Sequence, residues 1–185
     1  DDAEAQALIE ARARLLEVRR RRVPPGTDDK ILTGWNGLMI TGLAAAGAAL
    51  SEPRYLESAR RTADFLLERM LTSDGLRRTY KNGVARLPAT LDDHAFLAEG
   101  LLALYSATGA LRYLREAERL TDTALAQFYD AATGTFYLAP QGEVPLVTRP
   151  TSLFDGAIPS GASVTCMNLL RLGELRGRPE LAAVA

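Results

Sequence analysis

An internal repeat is the feature of this sequence that most restricts its fold. Pro53–Ala59 reads PRYLESA, and 58 residues later Leu111–Ala117 reads LRYLREA. At the same offset, the apolar stretch Gly37–Leu50 corresponds to the equally apolar stretch Ala95–Gly109. A third, shorter copy runs from Ala162 to Ala185. Since self-similarity at a fixed period marks a repeated supersecondary unit, the repeat takes precedence over any single motif.

Each copy predicts a pair of helices. The first helix of each pair is apolar nearly all round, which predicts burial on every side, and these helices are expected at roughly 36–50, 94–108 and 161–176. The second helix alternates apolar and charged residues, as an outer amphipathic helix requires, and these are expected at roughly 53–71, 111–128 and 179 to the end. The repeat therefore predicts helical hairpins in two layers.

The connections between the helices differ in length. Within a pair they are the short turns SEP, GA and GR, whereas between pairs they are the long segments 72–92 and 129–159, which contain strand-like pieces. Two layers with short turns at one end predict an all-α fold, a partial (α/α)6 toroid with small β-hairpins in its long loops. An open α-solenoid without a cavity is the alternative. In a toroid, the long loops and the starts of the inner helices meet at one mouth, where helix dipoles favour anionic or hydroxyl-rich ligands.

Composition excludes several classes of protein. The chain has 185 residues and a net charge of −1, so it lacks the basic surface that nucleic-acid binding requires. Its most apolar stretch is too short to span a bilayer, and its polar start does not resemble a signal peptide. Of the 22 cationic residues, 20 are Arg, which favours a GC-rich bacterial genome. We expect one cytoplasmic domain, with no nucleic-acid or membrane partner.

Polar and aromatic residues concentrate just before the predicted inner helices. Two carboxylates facing a cavity are suited to general acid–base chemistry on a sugar, and an indole offers a face on which a sugar ring stacks. The catalytic candidates are Asp92 and Asp93, and the substrate-binding candidates are Trp35, Asn36, Arg149, Asp155 and Asp29. Asp28, Lys30, His94 and Ser160 lie in the same segments.

Structural roles compete with each of these functional roles. Asp92, Asp93 and Ser160 are residue types that cap helix N-termini, and Asp28 or Asp29 suits the cap of a short turn. Arg149 is expected to pair with a loop carboxylate such as Asp155, and Trp35 also suits a core anchor. For the two adjacent carboxylates, the repeat register predicts that Asp92 caps the helix and Asp93 faces the mouth.

Metal and cofactor motifs are missing from the sequence. His94 is the only histidine, and no HxxxH or CxxC pattern occurs, so we expect no metal ligands. No GxSxG elbow and no glycine-rich phosphate loop is present either. We therefore expect no cofactor.

Three segments carry a resemblance to a known family. DDKILTGWNGLMI, TLDDHAFLAEGLLALY and the spaced motif RP…DGAIPSGAS resemble the YyaL/spermatogenesis-associated protein 20-like proteins. The resemblance implies an α/α toroid related to six-hairpin glycosidases and N-acylglucosamine 2-epimerases, preceded in the full-length protein by a thioredoxin-like domain. It also implies that residues 1–185 are about three of six hairpins, without the thioredoxin-like domain. The chain departs from the family pattern at His94, where Tyr is usual, and at Ala162, where Asn is frequent.

Two functional hypotheses follow. In the first, the toroid binds a carbohydrate-like small molecule in its cavity and acts on it as an isomerase, epimerase or glycosidase. In the second, it is a non-catalytic structural or client-binding module that partners the thioredoxin-like domain. Two carboxylates converging on open space favour the first hypothesis, and carboxylates bonded to helix N–H groups favour the second.

Overall fold

The chain folds into two layers of helices. The computed structural model describes residues 2–142 and 148–185, so residues 143–147 of the predicted loop 129–159 lie outside it. The inner layer consists of α2 (Thr33–Ala49), α4 (Leu91–Thr108) and α6 (Gly161–Arg176), with α4 in contact with both of its neighbours. The outer layer consists of α3 (Pro53–Phe65) and α5 (Leu111–Phe128). The predicted helical hairpins are therefore confirmed.

Burial follows the predicted layers, with one correction. The core lies between the layers, and α4 supplies Leu97, Leu101 and Leu104 to it, all fully shielded from solvent. Burial on every side is confirmed for α4 alone, whereas α2 and α6 are buried only in part. The prediction of burial on every side is therefore wrong for α2 and α6. Each of them has one side that faces away from α4, and no helix of the described chain covers that side.

Glycines set the distance between α2 and α4. A Cβ atom at Gly37 would lie 2.5 Å from the carbonyl carbon of Phe96, and one at Gly100 would lie 2.7 Å from the carbonyl oxygen of Gly37. Neither position has room for a side chain, so the two helices pack backbone to backbone. This contact fixes the start of α2 beside the start of α4.

The helix ends depart from prediction in detail. Two inner helices begin three residues earlier than expected, at Thr33 and Leu91. The outer helix α3 continues as a π-helix over Leu66–Met70, and the predicted last helix is a 3-10 helix over Pro179–Ala183. The glycines at two short turns, Gly109 and Gly177, adopt left-handed backbone conformations with φ of 68° and 63°, a conformation that favours glycine.

Small strands occupy the long connections, as predicted. Four strands form one sheet, in which β3 (Gly75–Lys81) pairs antiparallel with β1 (Ile31–Leu32), β2 (Leu71–Thr72) and β4 (Val84–Pro88). A separate hairpin consists of β5 (Tyr129–Asp130) and β6 (Thr135–Phe136). The Thr33 hydroxyl donates to the Arg77 carbonyl at 2.6 Å, which ties the start of α2 to β3.

The first helix, α1 (Asp2–Arg20), has no buried residue. Leu8, Ile9, Leu15 and Leu16 are all exposed along it. Across the described residues, none of the helices is long and apolar enough to cross a membrane.

Candidate functional site

The starts of the three inner helices meet at Asp92 and Asp93. From α2, the Gly34 N–H donates to Asp93 Oδ1 at 3.0 Å. From α6, Gly161 packs closely on Asp92. A Cβ atom added to Gly161 would lie 2.2 Å from Asp92 Oδ1. The predicted mouth, where the inner helices begin together, is therefore present, and the two carboxylates lie at its centre.

Asp93 is fully engaged within the fold. It is buried at N3 of α4 and completes a capping box, since Asp93 Oδ2 accepts the Thr90 N–H at 2.9 Å. Arg78 lies 3.5 Å from the same oxygen. The prediction that Asp92 caps and Asp93 faces the mouth is thus wrong. The reason is that α4 begins at Leu91 with Thr90 as its N-cap, which places Asp93, and not Asp92, at the capping-box position.

Asp92 is the carboxylate without a complete set of partners. Its Oδ1 is shielded from solvent and has no hydrogen-bond partner in the described part of the chain. Burial raises the pKa of Asp92, and the charge of Asp93 raises it further, while Arg78 and the Gly161 N–H oppose the shift. A half-buried acid with an unsatisfied oxygen and a raised pKa is typical of a functional site.

Two aromatic rings are exposed close to the starts of inner helices. Trp35 follows Gly34 in the first turn of α2 and is 64% exposed, so its indole is not a core anchor. Asn36 donates from Nδ2 to the Leu32 carbonyl at 2.8 Å. Phe154 lies in the loop before α6 and is 91% exposed. The sequence analysis did not predict Phe154 as a site residue. Phe154 could have been found by the criterion that selected Trp35, which is an aromatic side chain near the start of an inner helix.

The remaining residues of the third segment organise the loop before α6. Ser160 is the N-cap of α6 and accepts from the Ser163 N–H, as its capping role predicted. Asp155 Oδ1 accepts the Ser160 N–H at 2.8 Å. Arg149 donates to the Ala139 carbonyl at 2.8 Å and stacks on the Tyr137 ring. The expected pairing of Arg149 with Asp155 is therefore wrong, because backbone carbonyls take the Arg149 guanidinium and Asp155 bonds to Ser160.

The first segment forms exposed ion pairs. Asp28 pairs with Lys30 at 3.1 Å, and Asp29 pairs with Lys81 at the end of β3. These hydrogen-bonded lysines lower the pKa of each carboxyl. Such exposed pairs contribute little to stability, and the structure does not bring them into contact with Asp92.

His94 belongs to the core. It is 4% exposed, its Nδ1 lies 2.9 Å from the Thr90 carbonyl, and its ring packs against Phe128. Burial lowers the pKa of His94, so the neutral imidazole is favoured. No group of three or more potential metal ligands occurs among the described residues.

Glu99 is a second residue that the sequence reasoning missed. It lies on α4 two turns beyond Asp92, is half-buried, and burial raises its pKa. Its signal in the sequence was a lone acid within the apolar run AFLAEGLLAL.

Comparison with known proteins supports the family resemblance. No protein-family model matches the chain. Human spermatogenesis-associated protein 20 is 34% identical to it over 180 residues, which cover 90% of this chain and 23% of the human protein. The predicted relationship to the spermatogenesis-associated protein 20-like family is confirmed. The chain spans about a quarter of the length of the curated relatives it matches.

Solved structures establish the fold. A cellobiose 2-epimerase from Bacillus thermoamylovorans superposes with a TM-score of 0.69 at 15% identity, covering 85% of this chain and 43% of that one. A GH76 alpha-mannanase from Bacteroides thetaiotaomicron gives a TM-score of 0.64 at 18% identity, covering 89% and 43%. At these identities the likeness concerns the fold alone. The predicted partial α/α toroid, the six-hairpin glycosidase-like fold, is confirmed.

Proposed function

We propose that this half-toroid binds a carbohydrate-like small molecule at the mouth where its inner helices begin. The observation that carries the proposal is the state of Asp92. Its Oδ1 is buried at the junction of α4 and α6 and has no hydrogen-bond partner among the residues that the structure describes. A ligand hydroxyl that donates to this oxygen would remove the cost of leaving a buried acceptor unsatisfied.

Trp35 and Phe154 support a sugar as the ligand. Both rings are exposed, with Trp35 in the first turn of α2 and Phe154 in the loop before α6, and these two helices lie on either side of α4. The apolar face of a pyranose ring stacks on such surfaces, while its hydroxyl groups need polar partners. The epimerase and the mannanase with this fold act on sugars, which is consistent with the same ligand class here.

The roles of the site residues follow from their contacts. Asp92 is the group proposed to contact the ligand and the candidate acid or base for an epimerase or glycosidase reaction. Asp93 is a positioning residue, because its carboxylate joins the starts of α2 and α4. Asn36, Arg149, Asp155 and Asp29 are bonded within the fold and would shape the rim of the site.

Binding measurements on the full-length protein test the proposal. Cellobiose, D-mannose and α-linked manno-oligosaccharides are titrated while the melting temperature is recorded. A ligand at a hundred times its dissociation constant stabilises the folded state by about 2.7 kcal/mol. Trp35→Ala should abolish the response without lowering the melting temperature, since the indole is exposed. The control Leu111→Ala, on the outer helix α5, should retain it. If none of the sugars raises the melting temperature of the unmodified protein, the proposal is wrong.

A non-catalytic module is the second candidate function. The observation that favours it is that Asp93, Asp155 and Arg149 all bond to groups of the fold itself. In this role the half-toroid would partner a thioredoxin-like domain of the full-length protein. A mixture of the two domains that associates in the absence of sugar, with Trp35→Ala having no effect, would support it.

A further inference from the structure

The exposure pattern of α4 defines a stripe that faces away from the outer layer. Between Leu91 and Leu104, every residue is buried except Asp92, Glu99 and Ala103. Their spacing of seven and four residues places them on one face of the helix. Leu97 and Leu101, on the opposite face, point into the core between the layers. The two carboxyl groups thus share the inner surface of the half-toroid, with a rise of about 10 Å between their backbones.

The carboxyl group of Glu99 has no partner in the described part of the chain. It makes no hydrogen bond or ion pair with any residue there. The charged group that faces it from α6 is Arg171, whose charge lowers the pKa of Glu99, while burial raises it by more. The other neighbouring helix, α2, carries no charged side chain at all. A carboxyl kept half-buried without a partner has no evident structural purpose.

A buried amide beside the stripe provides an independent sign of a ligand. Asn168 of α6 is 1% exposed, and its Nδ2 donates to the Ala95 carbonyl at 2.9 Å, while its Oδ1 has no partner among the described residues. In an α-helix, the Ala95 carbonyl also accepts the Glu99 N–H, so the amide lies at the base of the Glu99 side chain. An acceptor that is buried and unsatisfied at this level indicates a missing donor.

The inner surface has a hollow near the far end of the stripe. It has a volume of about 220 Å³, is open to solvent, and is lined by Ala103 of the stripe but not by Glu99 or Asp92. Because no residue of α3 or α5 lines it, it lies on the inner surface. Its lining residues come from the three inner helices and are Ala44, Ala45, Ala48, Ala103, Ser106, Ala107 and Arg171.

We propose that Glu99 is the second carboxyl group of the ligand site and, together with Asp92, holds the hydroxyl groups of a sugar along the inner face of α4. This inference rests on the proposed function. Glu99 in its protonated form donates a hydrogen bond to a ring or hydroxyl oxygen, and Asp92 Oδ1 accepts one from a hydroxyl group.

Three substitutions at Glu99 test its role in the full-length protein. Glu99→Met keeps the volume of the side chain but removes its hydrogen bonds, and it should weaken the binding of cellobiose or manno-oligosaccharide at least tenfold. Glu99→Gln mimics the protonated acid and should stay within threefold of the unmodified protein. Glu99→Ala removes the same hydrogen bonds with a smaller side chain and should weaken binding in the same way. The control Glu68→Met, on the exposed side of the outer layer, should leave affinity unchanged.

The pH dependence of binding distinguishes a ligand-binding role of Glu99 from a purely structural one. If Glu99 were only structural, substituting it would leave that pH dependence unchanged. Affinity in the unmodified protein should fall as the pH rises through the raised pKa of Glu99, because Glu99 loses the proton that it donates, and the Gln variant should lose that part of the dependence. If Glu99→Met binds as tightly as the unmodified protein while the sugar response persists, this inference is wrong and the proposed function stands. If the unmodified protein binds no sugar at all, both are overturned.

Discussion

Asp92 and Asp93 are adjacent in the sequence, but their carboxyl groups occupy opposite environments. Asp93 accepts hydrogen bonds from Thr90 and from Gly34, whereas Asp92 Oδ1 accepts none from the described residues. The difference arises from helix geometry, which turns neighbouring side chains about 100° apart at the start of α4. Asp93 therefore stabilises the junction, whereas Asp92 keeps a buried oxygen without a partner among the described residues.

The two carboxylates should respond differently to substitution. Asp93→Ala removes the capping box and leaves the buried Gly34 N–H without an acceptor, so it should lower the free energy of unfolding by about 2–4 kcal/mol. Asp92→Asn removes a charge that burial disfavours, so it should leave that free energy at pH 7 unchanged or raise it. Urea unfolding of both variants measures the difference. Equal destabilisation by the two substitutions would contradict these assignments.

His94 should make stability depend on pH. Because burial lowers its pKa below the ordinary value of 6.5, the unfolded chain binds the proton more readily than the folded chain. The contribution of the neutral His94 imidazole to the free energy of unfolding is complete above pH 6.5. It is lost as the pH falls towards the lowered pKa of His94. His94→Phe cannot be protonated, so its urea midpoint should decrease less between pH 7.5 and 5.5 than that of the unmodified chain. Equal decreases in both proteins would show that another group causes the pH dependence.

At the scale of the elements, the repeat predicted most of the fold. The bounds of α5 and α6 and the short turns follow from apolar periodicity and glycine positions, which are local properties. The pairing of Ile31 with Tyr80 depends on contacts between distant segments, and no local pattern indicates it. The exchanged roles of Asp92 and Asp93 resulted from a three-residue error at the start of α4. Glu99 was missed because its environment is defined by α6, which lies some 70 residues further along the chain.

The contact between α2 and α4 provides a prediction with an internal control. Gly37→Ala should destabilise the chain by about 1–3 kcal/mol or more, because the new Cβ would collide with the backbone of Phe96. Gly42→Ala, on the same helix but with no atom within 4 Å of the new Cβ, should stabilise it by up to about 1 kcal/mol through helix propensity. Thermal melts compare the two variants. Stabilisation by both would mean that the helices do not pack backbone to backbone.

At the scale of the whole molecule, the partial toroid has two edges, α2 and α6, that no described helix covers on the side away from α4. Trp35 and Met39 are exposed on α2, and Met167 and Leu170 are exposed on α6. These helices flank α4, and each exposes apolar side chains that α4 does not cover. In the epimerase with this fold, the matched region is 43% of the chain, so more than half of that chain lies outside the match. Exposed apolar surface of this kind marks an interaction site or a tendency to associate.

The 185-residue chain produced alone should therefore self-associate. Its average mass in sedimentation velocity experiments should rise with concentration, because contact between the two edges removes apolar area from water. The double variant Met39→Glu with Leu170→Glu places a charge on each edge and should shift the distribution towards the monomer. The control Leu111→Glu, at an exposed leucine of the outer layer, should leave the distribution unchanged. A monodisperse monomer that melts cooperatively, without any substitution, would contradict the prediction and would mean that the two layers form a self-sufficient core whose apolar edges have no tendency to pair.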